Sequence, residues 1–160
     1  MRKILKYSAI LAVLLLGISC SETSESTSMI DETISSESAV ENEIIELLNK
    51  YRSSKSLSEL NKLDVIKTQT DIHTDYMIEK MEISHDDFTN RADYLKKNTS
   101  AKLVAENVAV GYSTPKAVVD GWIKSDGHRK NIEGNFTHFH VTAKQNSNNV
   151  WYYTNIFISK

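Results

Sequence analysis

Few side chains in this 160-residue sequence could supply a nucleophile or a soft metal ligand: one cysteine and five histidines. The single cysteine, Cys20, permits neither a disulfide framework nor a thiolate metal site. The sequence contains no G-x-S-x-G nucleophile elbow and no H-E-x-x-H zinc motif. We therefore predict no activated nucleophile and assign no catalytic residue. Any chemistry depends on imidazole and carboxylate groups that the fold brings together.

Cys20 ends an N-terminal segment that combines a basic start with an apolar stretch. Basic residues near the start precede an apolar stretch, residues 8–18, which is too short to span a bilayer. The tetrapeptide Gly-Ile-Ser-Cys that ends at Cys20 resembles a lipobox. We predict a signal peptide over residues 1–19 and acyl chains on Cys20, each buried CH₂ contributing about 0.8 kcal/mol to membrane binding. The protein would then be exported and lipid-anchored to the cell envelope, at the outer membrane or the cell surface; an uncleaved membrane anchor is the alternative.

The segment after Cys20 has the composition of a solvated spacer. Residues 21–38 are rich in serine and threonine and carry five acidic and no basic residues. Because so few apolar groups cannot offset the entropy of ordering, we predict a disordered acidic tether over residues 20–38. Residues 39–160 carry 16 basic and 16 acidic residues, without the basic stripe that nucleic-acid binding needs. This charge balance argues against nucleic acid as a partner.

Hydrophobic periodicity predicts that the next part of the chain is helical. A first helix should begin near Val40 with Ser38 as its N-cap, and a second should cover residues 57–81. His73 falls inside the apolar stripe of the second helix, so we expect a hydrogen-bonded imidazole in the core. Three shorter helices are predicted at residues 90–97, after Thr114-Pro115 and at the sequence HRKNI.

Two strands are predicted at the C-terminal end, over residues 136–143 and 150–158. The second strand is apolar at both alternate positions, so both of its faces should be covered. His138 and His140 share one face of the first strand and are expected at polar positions. The pattern predicts an α+β fold, a three-layer α-β-α sandwich with a small antiparallel sheet between helices.

The order of short motifs along the chain resembles that of a known family. From the N-terminal to the C-terminal side the chain contains ELLNKYR, HTDYM, ISHDDF, AENVAVGY, W-x-x-SDGHRKNI, FTH and WYYTNIF. This order is similar to the bacterial branch of the CAP superfamily, which includes cysteine-rich secretory proteins, insect antigen 5 and plant pathogenesis-related proteins. The resemblance covers residues 40–160. It implies one CAP domain over residues 39–160, with a cleft between the helices and the sheet.

The resemblance also implies which residues line that cleft. The two histidines and the first glutamate of the family match His85 of SHDD, Glu106 of AEN and His128 of DGHR. Animal and plant members carry a second glutamate after the tryptophan, where this chain has Lys124 and Ser125. The implied set is therefore reduced to three residues.

A second departure from the family lies in the first C-terminal strand. The family usually has Gly-Val-Gly there, whereas this chain has His140-Val141-Thr142. Larger side chains would fill the space that glycines leave open. His140 is the residue of this strand that could enter the cleft.

The three implied cleft residues allow two kinds of arrangement. Two imidazoles and a carboxylate can weakly bind a divalent cation such as zinc, or they can form a hydrogen-bonded structural cluster. His128 would stay neutral if Asp126 caps the short helix, because a helix N-terminus disfavours imidazolium. Four further residues are expected to be structural: Asn107 on loop backbone, Trp122 in the core, and Arg52 and Arg91 in ion pairs.

Three functions are compatible with these residues. We favour a monomeric binding or scaffold module at the cell envelope, with a lipid, a glycan or a protein as its ligand. The alternatives are a metal-assisted hydrolase that uses His85, Glu106 and His128, and a protein that sequesters an apolar small molecule. A hydrolase would need an acid or a base beyond the metal ligands, and the missing second glutamate removes the obvious one.

Overall fold

The computed structural model describes residues 24–160, without the side chains of residues 24–28 and 31–36. The elements in chain order are helix α1 (Ser24–Ser54), strand β1 (Asn61–Lys62), helices α2 (Asp64–Lys80) and α3 (Phe88–Thr99), strand β2 (Leu103–Val110), helices α4 (Pro115–Lys124) and α5 (Asp126–Ile132), and strands β3 (His138–Gln145) and β4 (Trp151–Ser159). The predicted signal peptide, the lipobox and Cys20 lie outside the described residues.

A four-stranded sheet with the order β1-β3-β4-β2 forms the middle layer. Strand β4 pairs antiparallel with β3 on one side and with β2 on the other, while the two-residue β1 pairs parallel with β3. All residues from Tyr152 to Ile158 are buried, which confirms that both faces of β4 are covered. Strand β2 lies at an edge of the sheet and was not predicted as a strand.

Helices cover both faces of this sheet, so the predicted α-β-α sandwich is confirmed. On one face, Tyr153 and Phe157 of β4 join the main core cluster, which includes Ile44 of α1 and Trp122 of α4. On the other face, a smaller cluster is formed by Ile66, Leu95, Ala101, Ile156 and Ile158. The fully buried Trp122 confirms the expected core position, and its indole Nε1 donates to Val108 O at 3.1 Å.

Helix α1 begins at Ser24 and not near Val40, so residues 24–38, for which the composition predicts a disordered tether, are helical in the structure. Ser38 lies within the helix and is not its N-cap. The core-packed part of α1 nucleates the helix. Because no glycine or proline occurs between Gly17 and Gly111, no residue of this segment breaks it. At 1.5 Å per residue, the 31 residues of α1 span about 46 Å.

The other helices agree with the sequence pattern except at their ends. Helix α2 begins at Asp64, seven residues later than predicted, because the preceding chain forms a loop and β1. Helix α4 begins as predicted, with the Thr114 side chain accepting from Ala117 N and Pro115 in the first turn. No helix among residues 24–160 is both long enough and apolar enough to cross a membrane.

Candidate functional site

The candidate site is built around Glu106 on the edge strand β2. Side chains alternate along a strand, so Glu106 and its neighbour Asn107 lie on opposite faces of the sheet. The side chain of Glu106 is 1% exposed and lies on the face covered by α2 and α3. A carboxylate buried to this extent needs partners for both of its oxygens.

Arg91 of α3 supplies most of that pairing. Its Nε donates to Glu106 Oε2 and its Nη2 donates to Glu106 Oε1, both at 2.9 Å, in a bidentate ion pair. Bidentate arginine–carboxylate pairs are among the strongest and most directional contacts in proteins. The sequence predicted an ion-paired structural role for Arg91, which is confirmed, although it did not identify Glu106 as the partner.

Two histidines complete the cluster. His85 Nδ1 donates to Glu106 Oε1 at 2.9 Å, and the His85 side chain is 54% exposed. His73 is buried, and its Nε2 donates to Ser84 O at 2.7 Å while lying 3.8 Å from Glu106 Oε1. Burial lowers the pKa of His73, which favours the neutral ring. The expectation of a hydrogen-bonded core imidazole is confirmed.

The same residues fix the loop that carries His85. Arg91 Nη1 donates to Asp86 O at 2.6 Å, and the backbone N–H of Asp86 donates to the Ser84 hydroxyl at 2.8 Å. Together with the bond from His73 to Ser84 O, these contacts hold the loop from both sides. His85 therefore lies at the surface on a loop that these hydrogen bonds hold in one conformation.

His128 lies on α5, which packs against β2 through asparagines. Asn107 Nδ2 donates to His128 O at 3.1 Å, and Asn131 Nδ2 donates to Glu106 O at 3.2 Å and to Asn107 Oδ1 at 2.8 Å. The expected role of Asn107 in fixing backbone is confirmed. The pKa of His128 is lowered, first by burial and then by the charge of His85.

The cleft beside Glu106 has a volume of about 340 Å³. Its wall is formed by His85, Phe88, Val104, Ala105, Glu106 and Asn131. Two of the three residues predicted for the cleft therefore line it and touch each other. The third, His128, is not in this wall. Asn131 was not foreseen, and no feature of the sequence set it apart from other polar residues.

The donor set does not fit a resident metal ion. No group of three or more His, Cys, Asp or Glu side chains within residues 24–160 is arranged to hold one, so the predicted ligand set of His85, Glu106 and His128 is not assembled. The physical reason is Arg91, which occupies both oxygens of the Glu106 carboxylate. A cation would have to displace a buried ion pair to bind there.

The expected ion pair of Arg52 is wrong, and the roles that the sequence left open for His140 and Asp126 are not realised. His140 does not enter the cleft, because Ile156 lies between it and Glu106 in the register of the sheet. Arg52 is buried and donates to the carbonyl oxygens of Ser58, Ile132 and Gly134, forming no ion pair among residues 24–160. Asp126 does not cap α5; Ser125 holds the N-cap position and Asp126 is the first helical residue.

The fold and this cluster can be compared with known proteins. The model of the cysteine-rich secretory protein family, CAP, matches residues 45–157. The chain belongs to this family. The resemblance found in the order of the motifs is therefore confirmed, and residues 45–157 lie inside the predicted CAP domain.

Relatives of this CAP domain come from several bacteria. The uncharacterised protein YkwD of Bacillus subtilis is 34% identical over 142 residues, which are 86% of this chain and 54% of YkwD. The crystal structure of an extracellular SCP-domain protein from Bacillus anthracis is 30% identical, with a TM-score of 0.69 over 81% of this chain and 43% of that one. An outer surface protein of Borrelia burgdorferi shares the fold. It is 18% identical, with a TM-score of 0.65 over 72% of this chain and 89% of that one. The chain thus spans about half the length of the two Bacillus proteins.

Proposed function

We propose that this chain is an exported envelope protein whose CAP domain binds a partner at the cleft beside Glu106 and does not hydrolyse it. One observation carries the proposal: the Glu106 carboxylate is buried and paired on both oxygens with Arg91. A general base needs a carboxylate that can accept a proton from substrate or water. Glu106 instead holds His85 and the loop around it in one position.

Two observations support a location outside the cytoplasm. The Bacillus anthracis relative is described as an extracellular protein and the Borrelia burgdorferi structure as an outer surface protein. The N-terminal segment resembles a lipoprotein signal that ends at Cys20. We infer that acyl chains on Cys20 hold the domain at the envelope.

The wall of the cleft supports binding of a mixed polar and apolar ligand. His85 contributes an exposed imidazole, and Phe88, Val104 and Ala105 contribute partly buried apolar surface. Few polar groups on an apolar wall are typical of binding sites for lipids, glycans and peptides. Any of these envelope components suits such a wall.

The two alternatives lack a comparable observation. A metal-assisted hydrolase needs His85, Glu106 and His128 as ligands, and the described residues contain no such metal-binding group. Sequestration of an apolar small molecule between helices is consistent with the family but has no specific contact in its favour.

Sedimentation with isolated cell-envelope fragments tests the proposal. The full chain should carry Cys20→Ser, so that binding reports on the domain and not on the lipid. We expect the chain to cosediment with the fragments, His85→Ala to lower the bound fraction several-fold, and the supernatant to contain no released fragments. His138→Ala is the matched control, because His138 lies on β3, away from the wall of the cleft.

Two results would reject the proposal. Equal cosedimentation of the wild type and His85→Ala would show that the cleft does not bind. Release of soluble fragments that depends on His85 would establish the hydrolase instead.

A further inference from the structure

A second cavity, also of about 340 Å³, lies between α2 and the loop that precedes α3. Its lining consists of Ile72, His73, Tyr76, Asp86, Asp87 and Arg91. It shares no lining residue with the cleft beside Glu106. The function proposed for that cleft does not use it.

One wall of this cavity is apolar and aromatic. Ile72 is 57% exposed although it is aliphatic. Tyr76, one helical turn further along α2, lies nearly parallel to the His73 ring, with 5.9 Å between the ring centroids. Exposed aliphatic and aromatic surface inside a cavity gives an alkyl chain a place to lie out of water.

The opposite wall carries two carboxylates. The Tyr76 hydroxyl donates to Asp86 Oδ2 at 2.8 Å, and this bond is the main reason for the lowered pKa of Asp86. Asn90 Nδ2 donates to Asp87 Oδ1 at 2.7 Å. These neutral donors orient the carboxylates without neutralising them, and the charge of Arg91 lowers the pKa of Asp86 further.

No cation of the described chain neutralises those charges by an ion pair. Neither Asp86 nor Asp87 forms one within residues 24–160. Arg91 also lines the cavity, but its ion pair is with Glu106. The cavity therefore has an excess of negative charge beside an apolar wall.

An ammonium group from the chain itself already contacts the aromatic wall. Lys80 Nζ lies 5.8 Å from the centroid of the Tyr76 ring, within the range of a cation–π contact. Lys80 is exposed and can move away at little cost. The contact places a primary ammonium on an alkyl chain beside this ring.

We propose that this cavity binds a primary ammonium group carried on an alkyl chain, the chemistry of a lysine side chain or a diamine. The ammonium group contacts the carboxylates of Asp86 and Asp87, and the alkyl chain packs on Ile72 and Tyr76. A compact cation with three donors matches two carboxylates at the end of an apolar wall. The two cavities have no lining residue in common, although Arg91 of this cavity is paired with Glu106 of the cleft.

Titration of the full chain with 1,5-diaminopentane, followed by the amide signals in two-dimensional NMR, tests this site. We expect saturable shifts, in about the millimolar range for so small a ligand, at Ile72, Tyr76, Asp86 and Asp87. Pentane-1,5-diol and glutarate have the same chain length without the positive charge, and should leave these signals in place. Nα-acetyl-lysine methylamide separates the two sources: equal or tighter binding indicates a peptide side chain, and weaker binding indicates a free diamine.

Substitutions locate the binding. Asp86→Asn combined with Asp87→Asn should weaken binding about tenfold, because two charge-assisted hydrogen bonds are lost. Asp93→Asn is the matched control, since Asp93 lies on α3 with a 67% exposed side chain and pairs with Lys96. If the double variant does not fold, Asp86→Asn alone keeps the acceptor for Tyr76 and should weaken binding about threefold.

Three results would overturn the proposal. They are shifts that do not saturate, equal shifts with the diol, and unchanged binding in the folded aspartate variants.

Discussion

At the scale of residues, the buried ion pair of Arg91 and Glu106 determines what the candidate site can do. A buried charge is tolerated when its partner satisfies it with good geometry, and the two 2.9 Å bonds from the guanidinium do so. His85 then receives a fixed acceptor and stays half exposed. The carboxylate thus organises the surface of the cleft and is not itself available to a ligand.

Removal of one partner of this pair should be far more harmful than removal of both. Glu106→Ala leaves the Arg91 charge buried without its carboxylate partner, and we expect a loss of about 3–5 kcal/mol in the free energy of unfolding. Arg91→Met combined with Glu106→Leu should recover most of that loss, since apolar groups of similar size need no partner. Denaturant unfolding measures both, with Glu59→Ala on the exposed surface as a control expected within about 0.5 kcal/mol of the wild type. A double variant that is less stable than Glu106→Ala would contradict this account.

Histidine burial predicts how stability depends on pH. Burial is the main cause that lowers the pKa of His140 below its ordinary value of 6.5, so the folded chain binds this proton less readily than the unfolded chain. The contribution of neutral His140 to the free energy of unfolding is therefore fully present above pH 6.5, and it is lost as the pH falls from there towards the pKa of the folded state. His140→Gln should flatten the decline in unfolding free energy between about pH 7 and 5, by at most about 1.4 kcal/mol per pH unit. His73, His128 and His138 have pKa values lowered in the same direction, so part of the decline should remain; an unchanged slope would reject the role of His140.

At the scale of elements, helix α2 packs on the sheet through hydrogen-bonded hydroxyls as well as apolar contacts. Thr74 Oγ1 donates to Thr154 Oγ1 at 2.8 Å, and the hydroxyls of Thr70 and Thr142 lie 2.7 Å apart. All four threonines are fully buried. These pairs fix the helix on β3 and β4, and so determine where His73 meets Glu106.

The threonine pairs should behave as coupled units. Thr74→Val leaves the Thr154 hydroxyl buried without its partner, and we expect a loss of about 1–3 kcal/mol in the free energy of unfolding. Thr74→Val combined with Thr154→Val should lose less than the single variant, because no hydroxyl of the pair is then left unpaired. Thr68→Val, at an exposed position on the same helix, serves as the control. Additive losses in a double-mutant cycle would show that the two hydroxyls do not interact.

Helices and strands were predicted correctly where one hydrophobic periodicity dominated. They were missed where contacts with other parts of the chain outweighed the local sequence pattern. The stripe around Leu48 and the apolar run of β4 identified a helix and a doubly covered strand. Composition alone predicted disorder over residues 24–38, because composition does not show that the later, core-packed residues of α1 nucleate a helix that extends back over this segment. Strand β2 was missed because Glu106 and Asn107 interrupt its apolar alternation, and each is satisfied by a partner distant in sequence.

At the scale of the whole molecule, a CAP domain follows a segment that resembles a lipoprotein signal. The family match extends over residues 45–157, and the motifs predicted both the family and the contact between His85 and Glu106. The pairing of Glu106 with Arg91 could not be predicted, because it joins a helix and an edge strand whose relative position only the fold determines. The same holds for Ile156, which separates His140 from the cleft.

The lipid anchor is the main prediction at this scale. Cys20→Ser should abolish labelling with palmitate and processing of the signal peptide, since the acyl chains attach to that thiol. Labelling of the wild-type chain in a bacterial host, followed by fractionation, checks the prediction. A wild-type chain that is unlabelled and absent from the membrane fraction would refute the anchor.

Thermal unfolding of the full chain with and without zinc tests the central claim most directly, because a ligand that binds the folded state raises its stability by RT ln(1 + [L]/Kd). Arg91 occupies both oxygens of Glu106, so we expect zinc at about 100 micromolar to shift the wild-type midpoint by less than about two degrees, a few tenths of a kcal/mol. We also expect the same small shift in His85→Ala. A large zinc shift in the wild type that disappears in both His85→Ala and His128→Ala would contradict the account and establish the metal site.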